Sequence, residues 1–220
     1  MKVSILCSSA NHPINAWLEK WISANSDHHE ISLFRKKDEL IRGDVLFLIS
    51  CHEIIKESDK SKFTHTLVIH ASDLPKGKGW SPHVWEIING RTEITVTLLE
   101  AADKLDSGDI WKKISASIPK HCLNDEINSL LFDTELLLMD YALENHKDIK
   151  PLVQDVSTES TYHRLRTPQD SQIDPEKSIA EQFDNLRVCD PERFPAFFIL
   201  HGHKYIIKLE KVEYENPINK

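Results

Sequence analysis

Two short stretches hold residue types that move protons between reacting atoms. His70 ends an apolar run, Thr66-Leu-Val-Ile69, and opens a loop rich in Pro and Gly, Ala71-Ser-Asp-Leu-Pro-Lys-Gly-Lys-Gly79. Thirty-six positions later Asp106 stands in Leu105-Asp-Ser-Gly-Asp109, after a second apolar run, Ile94-Thr-Val-Thr-Leu-Leu99. An imidazole titrates near neutral pH and so accepts and returns protons readily. A carboxylate beside it orients the ring and favours its charged form. At the ends of two strands the pair would meet at the edge of an open α/β sheet, where such sheets place their chemistry. A lone histidine after a strand is more often a packed or surface residue, and Asp-Ser-Gly is also a common turn. The two blocks together carry the catalytic reading.

The elements needed to position them are legible. Lys2–Ser8 reads as a buried first strand. Pro13 sets a helix start, with Ile14, Trp17, Leu18, Trp21 and Ile22 at helical spacing. Glu30–Phe34 alternates as a strand, and Val45–Ile49 and Thr66–Ile69 are short continuous apolar runs typical of central parallel strands. Ser81-Pro82 opens a helix that Asn89-Gly90 closes, and Glu93–Leu99 is a β-branched strand. Residues 109–118 fit helix or strand. Asn124 is the expected N-cap of a long helix through Leu143, with an acidic first turn. The alternation predicts an α/β fold, a doubly wound and mostly parallel sheet. From about Lys150 polar turns dominate, followed by a helix from Pro175 through Leu186 and a hairpin around His201-Gly-His203. The expected division is 1–149 for the main domain and 150–220 for a small helix and β-hairpin extension. Such an extension is too small to bury its own core and should pack on the main domain or on a second copy.

Composition narrows the function. The 220 residues carry a net charge of −8, with 40% hydrophobic and 28% charged residues, as expected of a globular protein. A protein whose main task is to grip a phosphate backbone would be basic, so nucleic acid is not the expected partner. No apolar run reaches membrane-spanning length, and the first strand is too short for a secretory leader. Cys7, Cys51, Cys122 and Cys189 show no CxxC spacing. Reduced, mostly buried thiols in a cytoplasmic protein are expected, with no membrane partner. His28-His29-Glu30 and His201-x-His203 lack a third ligand at useful spacing, so no metal is expected. Lys76-Gly-Lys-Gly79 lacks the spacing of a nucleotide P-loop, although its backbone and Lys78 are open to a substrate phosphate.

His70, Ser72, Leu74 and Pro75, then Gly77 and Gly79, and finally Asp106-Ser-Gly-Asp-Ile110 together resemble the signature of N10-formyltetrahydrofolate-dependent formyltransferases. In that family Asn-x-His ends a strand, Ser-Leu-Leu-Pro follows, and an aspartate sits in a Leu/Val-Asp-x-Gly turn. The likeness is good over about residues 40–112, and Trp80-Ser-Pro82, Trp85 and Asn89-Gly90 continue it. Asp73 replaces the first leucine, and Val68 stands where the family has the asparagine of its oxyanion site. Losing such a donor costs about two to three powers of ten in rate. His65, Thr66 or backbone N–H groups of the 70–79 loop are the candidates to replace it.

The resemblance implies acyl transfer from N10-formyltetrahydrofolate to an amine, with His70 and Asp106 as the catalytic pair and no metal. It places the folate along Ser50, Cys51 and His52, with Asp103 and Leu105. The segments Arg164–Pro168, Asp170-Ser171, Ile173–Pro175 and Phe194–Phe198 look like the dimer-forming extension of sugar N-formyltransferases. His70–Gly77 with Gly79-Trp-Ser-Pro-His83 and Trp85 looks most like the pseudaminic-acid type. That branch implies a nucleotide-linked amino sugar, a UDP-4-amino-4,6-dideoxy-2-acetamido hexose formylated on its C4 amine, and a homodimer. Substrate-binding candidates are Lys76, Lys78, Trp80, His83, Trp85, Arg164 and Arg166. The alternatives are a methionyl-tRNA or other amine formyltransferase, or an impaired relative that binds folate or a sugar nucleotide. Residues 151–220 hold no excess of Lys and Arg, which argues against tRNA.

Overall fold

In the computed structural model, which describes residues 1–155 and 157–212, the apolar runs assemble into one six-stranded sheet. Its strands are β1 (Lys2–Leu6), β2 (Glu30–Phe34), β3 (Gly43–Leu48), β4 (Phe63–His70), β6 (Glu93–Glu100) and β7 (Ile110–Ser117), in the order β2-β1-β3-β4-β6-β7. The pairings β1·β2, β1·β3 and β3·β4 are parallel, whereas β4·β6 and β6·β7 are antiparallel. The fold is the expected α/β class with a mostly parallel sheet. Residues 109–118, open between helix and strand in the sequence, form the edge strand β7 because their alternation completes the sheet.

Strand alternation divides the core in two. One face carries Val3, Ile5, Val45, Phe47 and Leu67 against α1 (Asn15–Asn25) and α4 (Asn124–Asn145), which contribute Leu18, Trp21, Leu131 and Leu138. Trp17 and Trp21 donate their indole N–H groups to Asp133 (2.8 Å) and Asp140 (2.6 Å), fixing α1 on α4. The other face carries Leu6, Leu46, Leu48 and Phe63, with Val68 packed against them. Loops and the four-residue α2 (Glu57–Lys60) cover this second face. His70 alternates with Val68 and Thr66, so it belongs to this loop-covered side.

Some boundaries differ from expectation. The cap of α4 is Leu123, whose N–H donates to Glu126 (2.8 Å), while Asn124 turns its amide to the Val188 carbonyl (3.0 Å). The later helix α5 spans Ile179–Arg187 rather than starting at Pro175, because Ser178 and Glu181 form a reciprocal cap there. The hairpin of β9 (Ala196–Leu200) and β10 (His203–Ile207) turns at His201-Gly202 with both φ values positive, 50° and 77°. The segment after Lys150 packs on the sheet domain. Tyr162–His163 forms a short strand, β8, beside Lys78–Gly79 (β5), and the buried Arg187 reaches the Pro119 and Cys122 carbonyls. Of the predicted extension, residue 156 and residues 213–220 lie outside the described residues. No described helix is long and apolar enough to cross a membrane.

Candidate functional site

The carboxyl ends of β1, β3 and β4 each deliver a histidine. His12 follows β1, His52 follows β3 and His70 ends β4. The strand order reverses between β1 and β3, the position at which open α/β sheets leave a crevice. His83 joins the group from the first turn of α3 (Pro82–Ile88). Burial and the positive fields of His70, His12 and Arg166 depress its pKa to about 4, and burial with Arg193 and His52 does the same to His12. Both are therefore neutral imidazoles at neutral pH. His12 was missed by sequence reasoning, because nothing local separates it from a surface histidine.

His70 is buried, and its Nε2 lies 2.9 Å from the Gly77 carbonyl. A carbonyl only accepts, so Nε2 is the protonated nitrogen and Nδ1 is left as the basic atom of the neutral ring. The loop that supplies Gly77 is pinned at many points. Thr97 donates its hydroxyl to the Ser72 carbonyl (2.7 Å), and Lys113 reaches Asp73 and the Leu74 carbonyl, both at 2.6 Å. Asp73, where the family has leucine, thus has its own cation. Gly77 N–H donates to the Thr161 hydroxyl (2.8 Å), Lys78 N–H to the Thr161 carbonyl (2.9 Å) and Trp80 N–H to the His163 carbonyl (3.1 Å).

Asp106 reaches His70 by a route the sequence does not suggest. β6 runs antiparallel to β4, so Glu100 lies beside Leu67 and the two strand ends point in opposite directions. The β6–β7 connection doubles back to bring Asp106 to the loop, in a left-handed backbone (φ 50°). Its Oδ2 accepts from Gly79 N–H at 2.9 Å and stands 3.6 Å from His70 Nε2. The Gly77 carbonyl therefore orients the imidazole, and Asp106 acts on it through charge while holding the loop. Gln154 secures the connection by donating to the Asp106 and Gly108 carbonyls, each at 2.9 Å. Two glycines are compulsory: a Cβ on Gly108 would lie 1.8 Å from the Glu100 carbonyl oxygen, and one on Gly79 (φ 97°) 2.3 Å from that of His163.

The remaining predicted residues separate into groups. Of the residues expected at the folate, Ser50 turns the chain after β3 with φ 46°, Cys51 accepts from Ser8, and the His52 ring lies 5.5 Å from Trp80. Trp80 is 40% exposed, so part of its ring surface is not covered by the protein. Asp103 and Leu105 lie exposed on the β6–β7 connection, with Asp103 paired to Lys60.

On the substrate side several expectations are corrected. Lys78 is 7% exposed and lies against Tyr162, not toward a phosphate, because the β5·β8 pairing covers it. The same pairing, with Thr161 and Asp106, takes up the loop's N–H groups from Gly77 to Trp80, so no phosphate cradle remains there. Lys76 is exposed. Trp85 is already stacked by His163 and by the Arg164 guanidinium at 4.9 Å, so it is not a ligand platform. Arg164 forms a bidentate pair with Asp170 and holds that carboxyl well below the usual carboxylate range. Arg166 donates to the Asp170 carbonyl (2.9 Å) but keeps a buried Nε without a partner. Of the proposed replacements for the asparagine, His65 and Thr66 lie four or five residues before His70 on one strand, roughly 13 Å or more away. His65 packs on Trp111.

A family model described as formyl transferase matches residues 2–139. Methionyl-tRNA formyltransferase of Streptococcus equi subsp. equi is 32% identical over 151 residues, 66% of this chain and 46% of that protein. The match thus spans less than half the length of that curated relative. Among solved structures, a methionyl-tRNA formyltransferase from Clostridium thermocellum superposes with a TM-score of 0.77 at 22% identity, covering 93% of this chain and 90% of its own. A sugar N-formyltransferase from Shewanella superposes with a TM-score of 0.73 at 16% identity, covering 98% and 99%. At these identities the two structures establish the fold. The match over most of the sheet domain establishes the family: the chain belongs to the formyl transferases.

Proposed function

We propose that this formyl transferase carries the formyl group of N10-formyltetrahydrofolate to the amine of a nucleotide-linked amino sugar. The observation that carries the reading is the His70 imidazole at the carboxyl end of β4, its Nε2 committed to Gly77 with Asp106 3.6 Å from that same nitrogen, and its Nδ1 left as the base. In the reaction the amine nitrogen attacks the formyl carbon, the bond from that carbon to N10 breaks, and the proton lost by the amine ends on N10. His70 relays that proton, and the charge it gains faces Asp106 at 3.6 Å. The neutral imidazole of His83 is a donor of the kind that Val68 is not. The partly exposed Trp80, with His52 beside it, suits the flat ring of the folate.

The sugar branch is supported by the full-length likeness to the Shewanella enzyme, which includes the segment after Lys150. That segment holds the 70–80 loop through Thr161 and His163. We read residues 1–149 as the catalytic unit and 150–220 as the extension that completes it. The sequence motif from His70 to Trp85 favours the C4 amine of a UDP-4-amino-4,6-dideoxy-2-acetamido hexose. Exposed Ile199, Tyr205 and Ile206 on the hairpin favour a homodimer. A second reading, methionyl-tRNA as acceptor, is favoured by the identity to the streptococcal enzymes.

The test is incubation with N10-formyltetrahydrofolate and UDP- or dTDP-linked 4-amino sugars, followed by mass spectrometry for a gain of one CO on the sugar. Gain with wild-type protein and none with a folded His70→Ala variant supports the proposal. Formylation of methionyl-tRNA instead moves the acceptor to the second reading. Folate binding with no acceptor turned over identifies a binding relative that lost its oxyanion donor at Val68.

A further inference from the structure

Where the chain enters α4, three unlike ligand atoms converge. His121 and Cys122 are consecutive, and Glu126 lies four residues after Cys122 on the first helical turn, so its side chain returns to the same face. His121 Nδ1, Cys122 Sγ and a Glu126 carboxylate oxygen all lie within 4.8 Å of one another, and Sγ is 3.9 Å from Nδ1. The site already holds a cation: the Lys211 ammonium sits 3.1 Å from His121 Nδ1 and 2.6 Å from Glu126 Oε1. An ammonium has no lone pair, so it donates to Nδ1. That nitrogen is therefore presented as an acceptor, the form in which imidazole binds metals. A groove of about 420 Å³, lined by Ser117, Pro119, Cys122, Glu126, Ser129 and Leu130, opens beside the cluster.

We propose that His121, Cys122 and Glu126 form a binding site for a borderline-soft divalent cation of the zinc type, for which Lys211 is the built-in competitor. One nitrogen, one sulfur and one carboxylate oxygen match the donor set that zinc accepts, and a tetrahedral ion keeps its fourth position for water from the groove. The exchange conserves charge. With lysine present, Glu126 and Lys211 cancel and Cys122 is a thiol. With the cation present, its two positive charges meet the Glu126 carboxylate and the Cys122 thiolate, and the thiol proton passes to solvent. Binding therefore breaks the Lys211 contacts to His121 and Glu126. The reach of Glu126 is shared, because Oε2 also caps Leu123 N–H. Oε1 is the oxygen available to the cation.

The probe is Co²⁺ added to the full chain, read by its thiolate charge-transfer band and tetrahedral ligand-field bands. One equivalent should bind to wild type. His121 is exposed, so His121→Ala should fold normally and weaken binding by about tenfold or more, by loss of a direct ligand. Cys122→Ser should remove the charge-transfer band. Lys211→Met removes the competitor and should tighten binding about two- to fivefold, the value of a half-exposed ion pair. A band that survives Cys122→Ser, arising at another cysteine, overturns the proposal. So does the absence of any thiolate band in both wild type and Lys211→Met, or unchanged affinity in His121→Ala.

Discussion

Replacing Glu135 by Gln should remove an alkaline loss of stability that the wild-type chain carries. Glu135 lies on the same side of α4 as Leu131, Leu138, Met139 and Ala142, all buried. Burial without a compensating charge pushes its carboxyl from 4.5 up to about 8. Between those two values the folded chain keeps a proton that the unfolded chain has released, so stability falls as pH rises through the window and levels off above 8. At 1.36 kcal/mol per unit, the share of Glu135 in the change from pH 6.5 to 8 is a fall of about 1.6 kcal/mol. For a chain of this length that corresponds to a drop of roughly 3–7 °C in Tm. His12 and His83 act with the opposite sign. Their folded values are about 4 against 6.5, so the unfolded chain takes up protons first as pH falls and stability declines toward acid. The two limbs place maximal stability near pH 6.5. Urea unfolding of wild type and Glu135→Gln from pH 5.5 to 8.5 checks this: the variant should rise by about 0.8 kcal/mol from 6.5 to 8 as the two histidines finish titrating in the unfolded chain, where wild type falls, and should keep the acid limb. Parallel curves for the two proteins would refute the assignment of the alkaline limb to this half-buried carboxyl.

Gly79→Ala should cost about 1–3 kcal/mol and release Trp80 N–H from protection against hydrogen exchange, since the new methyl meets the His163 carbonyl. Normal protection in the variant would mean that β5 and β8 tolerate separation. Thr161→Val removes the acceptor of Gly77 N–H and should lower kcat with little change in KM for the acceptor, because it loosens the carbonyl that holds His70. A pure KM effect contradicts that role. Arg164→Met should lower Tm and leave acceptor binding alone, whereas Arg166→Met should raise KM for a nucleotide-linked acceptor and leave Tm nearly unchanged. The contrast rests on the bidentate Asp170 pair of Arg164 and the free Nε of Arg166, and an inverted pattern would exchange their roles.

The fold was legible where a short-range pattern decided it. Apolar runs around Phe47 and Leu67 give the central strands, Leu18 and Trp21 give the buried stripe of α1, and His201-Gly202 gives the hairpin. His70 and Asp106 were legible as a pair because each sits in a local motif. What the sequence hid is long-range. The antiparallel course of β6 cannot be read from Glu93–Leu99, so the return of Asp106 and its clamp by Gln154 were invisible. Lys78 looked like a phosphate ligand because its partner strand lies more than eighty residues away. Arg164 looked free because nothing local indicates that Asp170 turns back onto it in a 3-10 turn.

The bond from Gly77 to Thr161 joins residues 84 positions apart, and the one from Asp106 to Gln154 spans 48. A polypeptide leaving the ribosome presents His70 long before it presents either partner. At about 5–20 residues per second, 84 residues take roughly 4–17 s to add. During that interval the sheet can form while the loop beneath the imidazole stays unfastened. The clamp on the loop beneath His70 is therefore complete only once the last third of the chain has been made.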